Sequence, residues 1–327
     1  MNKYANILFD GSFKTVVCAP QNEDLLIKII ELMIPGKHIA KLKLGDKENH
    51  GLSVSDKITT FDLYCTSNIG EQFIVEMQFS RQSHYADRML TYATYPIRAQ
   101  MTAKLNTRKE KQSKGESVDK MDYSLIPVYV ISLLNFSIEH ESGEALEEGL
   151  VSRYSIRNNH NGELMTDALQ FIYLELGRLQ VRRDEPQKCR TLLEKFAFSL
   201  RYIHELDERP SSFEDEMLKR LYNAAEFANM TIEQQTEYER IMRTELDIIA
   251  EKNYARETGL AEGREEGRAK GLAEGREEGR AEGRVEGEAS MLAKVKAAIS
   301  MLKEGSSVEI VSSKTGLSKT DIEALRL

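Results

Sequence analysis

The chain has 327 residues, 41% of them hydrophobic and 30% charged, with a net charge of −8. That length supports one large core or two domains. The acidic balance argues against bulk electrostatic capture of nucleic acid, although a site can be locally basic within an acidic chain. Cys18, Cys65 and Cys189 show no CxxC spacing. They fit a reducing compartment better than a disulfide framework or a zinc site. The longest apolar run, around 125–136, is too short to span a bilayer, and the N-terminus has no apolar signal core. The expectation is a cytoplasmic protein that does not engage membrane.

In chain order, the first 55 residues read as mostly helical and irregular. Asp10 to Lys14 is a compact polar cluster. Asn22-Glu23-Asp24 is a cap-like cluster ahead of a buried helix carrying Leu25, Leu26, Ile29, Ile30 and Met33, which Pro35-Gly36 ends. Residues 57–64 alternate as a half-buried strand does. Asn68-Ile69-Gly70 supplies a turn, and 72–79 is a second strand. Folded back as a hairpin, these place Asp62 on the first strand beside Glu76 on the second. Glu76 and Gln78, two apart, share a face, while Val75 and Met77 point into the opposite layer. Two carboxylates and an amide on one patch predict a divalent-metal site. The plainer alternative is solvated polar groups on a strand.

The period turns helical over 81–105, with Tyr85, Met89, Tyr92, Tyr95 and Ala99 along one stripe, and Pro96 predicts a kink or restart. Residues 106–120 are polar and read as a mobile loop. From Arg98 to Lys120 there are seven basic residues, Arg98 and Lys104 among them, against three acidic, which could attract a phosphate backbone. Residues 127–136 have the unbroken apolarity of a strand buried on both faces. Residues 150–157 and 168–176 are further strands. This order predicts an α/β core with a central mixed sheet flanked by helices.

After Pro186 the pattern is helical, with helices expected at 187–207, 211–229 and 231–258. Glycine then recurs at every fourth position from Gly259 to Gly287. Eight glycines cost a helix roughly 8 kcal/mol relative to alanine, yet they form a winding stripe of small residues that another helix can approach. The segment reads as a stalk through which copies of the chain assemble, or as a solvated spacer. The tail holds two short helices around Thr315-Gly316 with helix-turn-helix chemistry. It fits an oligomer cap, with DNA reading as the alternative. The expected divisions are a core at 1–185, a helical region at 186–258, the repeat at 259–290 and the tail at 291–327.

The stretches D-L-Y-C at 62–65, G-E-Q-F-I-V-E-M-Q at 70–78 and Y-A-D-R-M-L-T-Y-A at 85–93 resemble the Rpn-type recombination-promoting nucleases, also described as transposases, of the PD-(D/E)xK superfamily. Asp10 through Lys14 resembles the family's N-terminal element, and 127–136 its later strand. The resemblance implies a restriction-endonuclease-like core and metal-dependent hydrolysis of DNA phosphodiesters, in recombination or in defence against foreign DNA. It makes Asp62 and Glu76 the metal-binding carboxylates and puts Gln78 where the superfamily has lysine. Gln78 can hold a water but brings no positive charge, so Lys14, beside Asp10, becomes a candidate for the missing cation. The hard-cation chemistry suits Mg²⁺. Arg88, Tyr92 and Gln100 on the following helix, with Arg98 and Lys104, are candidate DNA contacts. The competing reading is a non-catalytic DNA-binding or scaffold protein.

Overall fold

The computed structural model describes residues 2–45, 62–118, 120–138 and 149–326. The first part of the strand expected at 57–64 lies outside the described residues.

Six strands form one mixed sheet in the order β1-β2-β3-β4-β6-β5. The strands are β1 (Leu42–Leu44), β2 (Leu63–Ser67), β3 (Gln72–Gln78), β4 (Val128–Leu134), β5 (Val151–Arg157) and β6 (Leu164–Glu175). β1, β2 and β3 pair antiparallel, β3, β4 and β6 run parallel, and β5 closes the far edge antiparallel to β6. Gly70, at φ 88°, takes the left-handed position of the β2–β3 turn. The parallel β3–β4 step needs a crossover, and helix α3 (Tyr85–Ser113) supplies it. β4 is buried along its whole length, as expected of a central strand covered on both faces. This is a restriction-endonuclease-like α/β architecture.

Alternation along β3 sorts the two layers. Val75 and Met77 join Leu63, Cys65 and Ile131 in a core with α1 (Asp10–Val17) and α2 (Glu23–Met33). Ile74 faces the other way, with Val130, Tyr173 and the Tyr85, Met89 and Ala93 stripe of α3. That helix passes Pro96 without ending and continues to Ser113, where a polar loop was expected from 106. Arg, Lys, Glu and Gln are good helix formers, and the left-handed Gly115 beyond Ser113 marks the stop.

The first two helices beyond 186 share the sheet's core. α4 (Leu192–Tyr202) opens with a capping box between Thr191 and Glu194. With α5 (Glu216–Ala225) it places Phe196, Phe198, Leu218 and Leu221 in the same cluster as Val75 and Ile131. The chain's start is stitched there too. Tyr4 and Glu226 form an antiparallel bridge, with Ala5 N–H donating to Ala225 O at 2.8 Å and Phe227 N–H to Lys3 O at 3.1 Å. Residues 1–246 make one compact unit and 247–327 a second.

Helix α6 runs from Ile232 to Lys303, so the helix expected at 231–258 continues through the whole repeat. Ala, Glu and Arg between the glycines all favour helix. In the second unit, Ala298 of α6 packs with Val308 and Val311 of α7 (Val308–Thr315), Leu317, and Ile322 of α8 (Lys319–Ala324). Gly316, at φ 69°, turns the chain between α7 and α8. No helix among the described residues is long and apolar enough to cross a membrane.

Candidate active site

The β2–β3 register pairs Leu63 with Val75, which carries Asp62, one residue ahead of β2, opposite Glu76. Asp62 N–H donates to Glu76 Oε1 at 3.0 Å, and Met77 N–H donates to Asp62 Oδ2 at 3.0 Å. Glu76 is only 2% exposed and Gln78 7%. Both point to the α3 side of the sheet, where Ile74 also lies. The Gln78 amide makes no hydrogen bond among the described residues. Its main-chain carbonyl accepts from Asn135 N–H at 2.9 Å, which fixes the strand end.

From the first turns of the chain, α1 delivers Lys14 to the same place. Its Nζ lies 3.2 Å from Asp62 Oδ1 and 3.5 Å from Asp10 Oδ2. Asp10 occupies the first turn of α1, where a negative charge is favourable, and its Oδ1 accepts from Gly11 N–H at 2.6 Å. So Asp10, Lys14 and Asp62 form one chain of charges, with Glu76 behind it.

Burial pushes Asp62 above the usual carboxylate range, although the Lys14 charge opposes the shift. Burial, then the neighbouring Asp62 charge, push Glu76 up further; the Asp62 N–H and the Arg88 charge offset only part of this. Burial works against the Lys14 cation, but Asp62 and Asp10 more than compensate and raise its pKa. Two acids forced together in a nearly dry site hold their protons tightly.

Arg88 is held over the rings of Tyr85 and Tyr92, 5.5 Å from each centroid, and donates to Gln82 Oε1. The spacing of three and four residues on one helix made this cluster legible in sequence. Tyr92 is raised by burial and then by the Glu76 charge, which places it in the same field. Arg98 is exposed further along α3. Gln100 lies about 18 Å along the helix from Arg88. Its amide brackets the main chain of Ile126, accepting from the N–H at 2.8 Å and donating to the carbonyl at 3.0 Å, and it donates to Gln72 Oε1 at 3.2 Å. Lys104 pairs with Asp122 at 2.6 Å and also donates to Ser124. The structure thus gathers Asp10, Lys14, Asp62, Glu76, Gln78, Arg88 and Tyr92 at one end of β3, while Gln100 and Lys104 brace the loop that leads into β4.

One neighbour of the site had no sequence signal. The start of α6 packs on α1 so closely that a Cβ on Gly11 would lie 2.9 Å from Ile241 Cδ1. Beside that contact, a cavity of about 450 Å³ is lined by Asp10, Lys14, Arg240, Thr244 and Glu245.

The two carboxylates, Glu76 nearly buried, are oxygen donors of the kind that suits a hard divalent cation. No group of three or more His, Cys, Asp or Glu side chains that could hold a metal occurs among the described residues. Asp62 and Glu76 are the pair of oxygen donors that could hold such a cation, with water and substrate oxygens completing the shell.

Searches of curated proteins and of solved structures return no match. The family model described as PD-(D/E)XK nuclease family transposase matches residues 7–255, which takes in the sheet, the paired carboxylates and the helices that share their core. The chain belongs to this PD-(D/E)XK nuclease family of transposases, and its function is of the nuclease type.

Proposed function

We propose that the protein is a divalent-cation-dependent DNA endonuclease, with Mg²⁺ as its ordinary cation. The observation that carries this reading is the convergence of the buried Glu76 with Asp62 and Lys14. Three groups from separate parts of the chain meet where two neighbouring, desolvated carboxylates favour positive charge beside them, and Lys14 meets that demand only at Asp62. Bound there, a cation supplies charge neutralisation at the phosphate and an acidified water.

The chain's own groups account for the rest. Asp62 and Glu76 would hold the cation through carboxylates that the main-chain N–H groups of Met77 and Asp62 position. Lys14 provides the positive charge that Gln78 lacks, close enough to Asp62 to offset negative charge building on the phosphate. The Gln78 amide, on the same face as Glu76, can donate to or accept from the attacking water and orient it. Arg88, stiffened between two tyrosine rings, faces the backbone of the bound strand. The biological setting consistent with the family is recombination or defence against foreign DNA.

The test is nicking of supercoiled plasmid with Mg²⁺ by the parent chain, Asp62→Asn and Glu76→Gln. Each replacement keeps shape and removes charge. The proposal requires cutting by the parent and its loss in both variants. Equal cutting by all three would reject the site, and plasmid binding without cutting by the parent would favour a non-catalytic DNA-binding protein.

A further inference from the structure

Over 259–290, helix α6 is exposed along its whole length, and a Cβ added to any of its glycines meets no other heavy atom within 4 Å. The four-residue period sorts the side chains into stripes. One carries Arg264, Arg268, Arg276, Arg280 and Arg284, interrupted by Leu272 and followed by Glu288; another carries Glu262, Glu266, Glu274, Glu278, Glu282 and Glu286, interrupted by Lys270. A lone solvated helix gains when opposite charges sit four residues apart and loses when like charges do. Here Arg280 stands between Arg276 and Arg284, and Glu278 between Glu274 and Glu282. Among the described residues, the ion pair within this segment is Lys270–Glu274, at 4.0 Å. The pattern works against an isolated helix and leaves two long charged stripes of opposite sign for a partner.

Each stripe arginine follows a glycine and each stripe glutamate precedes one, so at about 100° per residue the two stripes lie symmetrically, roughly 100° to either side of the glycine stripe. When two copies meet in parallel along their glycines, the arginine flank of each faces the glutamate flank of the other, on both sides of the contact. An antiparallel pair sets arginine against arginine, because flanking positions then meet their own kind. The stripes advance about 40° per repeat and turn once in about 54 Å. A pattern longer than 3.6 residues winds the pair in the right-handed sense, and small residues four apart permit the close, roughly −40° crossing known for such faces.

We infer that 259–290 is a docking surface for a second copy of this chain, joined in parallel through complementary arginine and glutamate stripes over a glycine contact. The charge match selects both the partner and its direction. The inference is independent of the nuclease reading, since it rests on no residue of that site.

The test uses three full-length chains: the parent, one with the five stripe arginines changed to Glu, and one with the six stripe glutamates changed to Arg. Light scattering should give twice the chain mass for the parent and the single-chain mass for each exchanged chain alone. Mixing the two exchanged chains should restore the double mass and, by circular dichroism, any helix lost on exchange. Spin labels at Ala261→Cys or Ala289→Cys should each report a short same-site distance between copies, as a parallel pair requires. A parent that stays single at its highest soluble concentration would overturn the inference, as would exchanged chains that pair like the parent. Short distances found only between 261 and 289 would overturn the parallel arrangement, and doubling that appears only with added nucleic acid would replace the second copy as the occupant.

Discussion

The main-chain N–H of Asp62 holds a carboxylate oxygen of Glu76 at 3.0 Å, and the residue after Glu76 returns a main-chain N–H to Asp62 at the same distance. Each acid is thus fixed by the backbone beside the other. The pairing depends on strand register, because a slip of one residue would send Glu76 into the opposite layer.

That mutual anchoring has a pH signature. Asp62 and Glu76 both lie above their ordinary values of 3.8 and 4.5. The folded state therefore binds their protons more tightly than the unfolded chain does. The stability they contribute is complete below the ordinary carboxylate range and is lost as pH rises through their raised values. In chelator, we expect the melting temperature of the parent to fall with rising pH above about 4.5, more steeply than that of Glu76→Gln. Added Mg²⁺ should recover more stability at the higher pH, since cation and proton compete for the same oxygens. Thermal melts across pH, with and without chelator, check this; superimposable profiles would count against it.

Lys14 should matter for chemistry more than for folding. Lys14→Met keeps the stem and removes the charge next to Asp62. Single-turnover nicking should then fall by about 100-fold, the order seen when one charge-stabilising donor is lost, with plasmid affinity little changed. Lys14→Arg should retain part of the rate. A rate in Lys14→Met within a few-fold of the parent would remove this residue from the mechanism.

Gln100→Ala should behave in the opposite way. Its amide makes three hydrogen bonds, two of them to the main chain of Ile126. Loss of those partners should cost about 1–3 kcal/mol, read by chemical denaturation. The DNA affinity of the folded variant should match the parent's. A selective loss of affinity at unchanged stability would return Gln100 to the DNA-contacting surface.

Leu218 tests whether the helices after 186 belong to the sheet. It is fully buried on α5 in the cluster that contains Val75. Leu218→Ala should cost about 2–5 kcal/mol, and a chain ending at residue 185 should fail to give a cooperative melt. A cooperative melt from that shorter chain would show that the sheet stands without α4 and α5.

The parts of the site legible in sequence are those that local geometry dictates. Glu76 and Gln78 share a face because strand side chains alternate. Asp62 meets Glu76 because a Gly70 turn closes a short hairpin. Arg88 meets Tyr85 and Tyr92 because they sit three and four residues away on one helix. What local pattern does not encode was missed. The Lys- and Glu-rich stretch after 106 has a composition that suits a loop and a helix equally, and tertiary contacts of Gln100 and Lys104 with the strand's approach helped place it. Nothing in the order of residues announces that Ile241 presses on Gly11, or that Leu218 joins the buried cluster that holds Val75. Those relationships join parts of the chain more than a hundred residues apart.

The Tyr4–Glu226 bridge bears on how the protein is made. During synthesis, Lys3, Tyr4 and Ala5 leave the ribosome more than 200 residues before their partners at 225–227. Closing so wide a loop is entropically costly until the intervening helices have packed. The segment leading into α1, and with it Lys14, lacks its final anchor until those partners emerge. A chain not yet that long can hold the carboxylate hairpin yet not the secured lysine, so the cluster of Lys14, Asp62 and Glu76 is completed only once nearly all of its supporting unit exists.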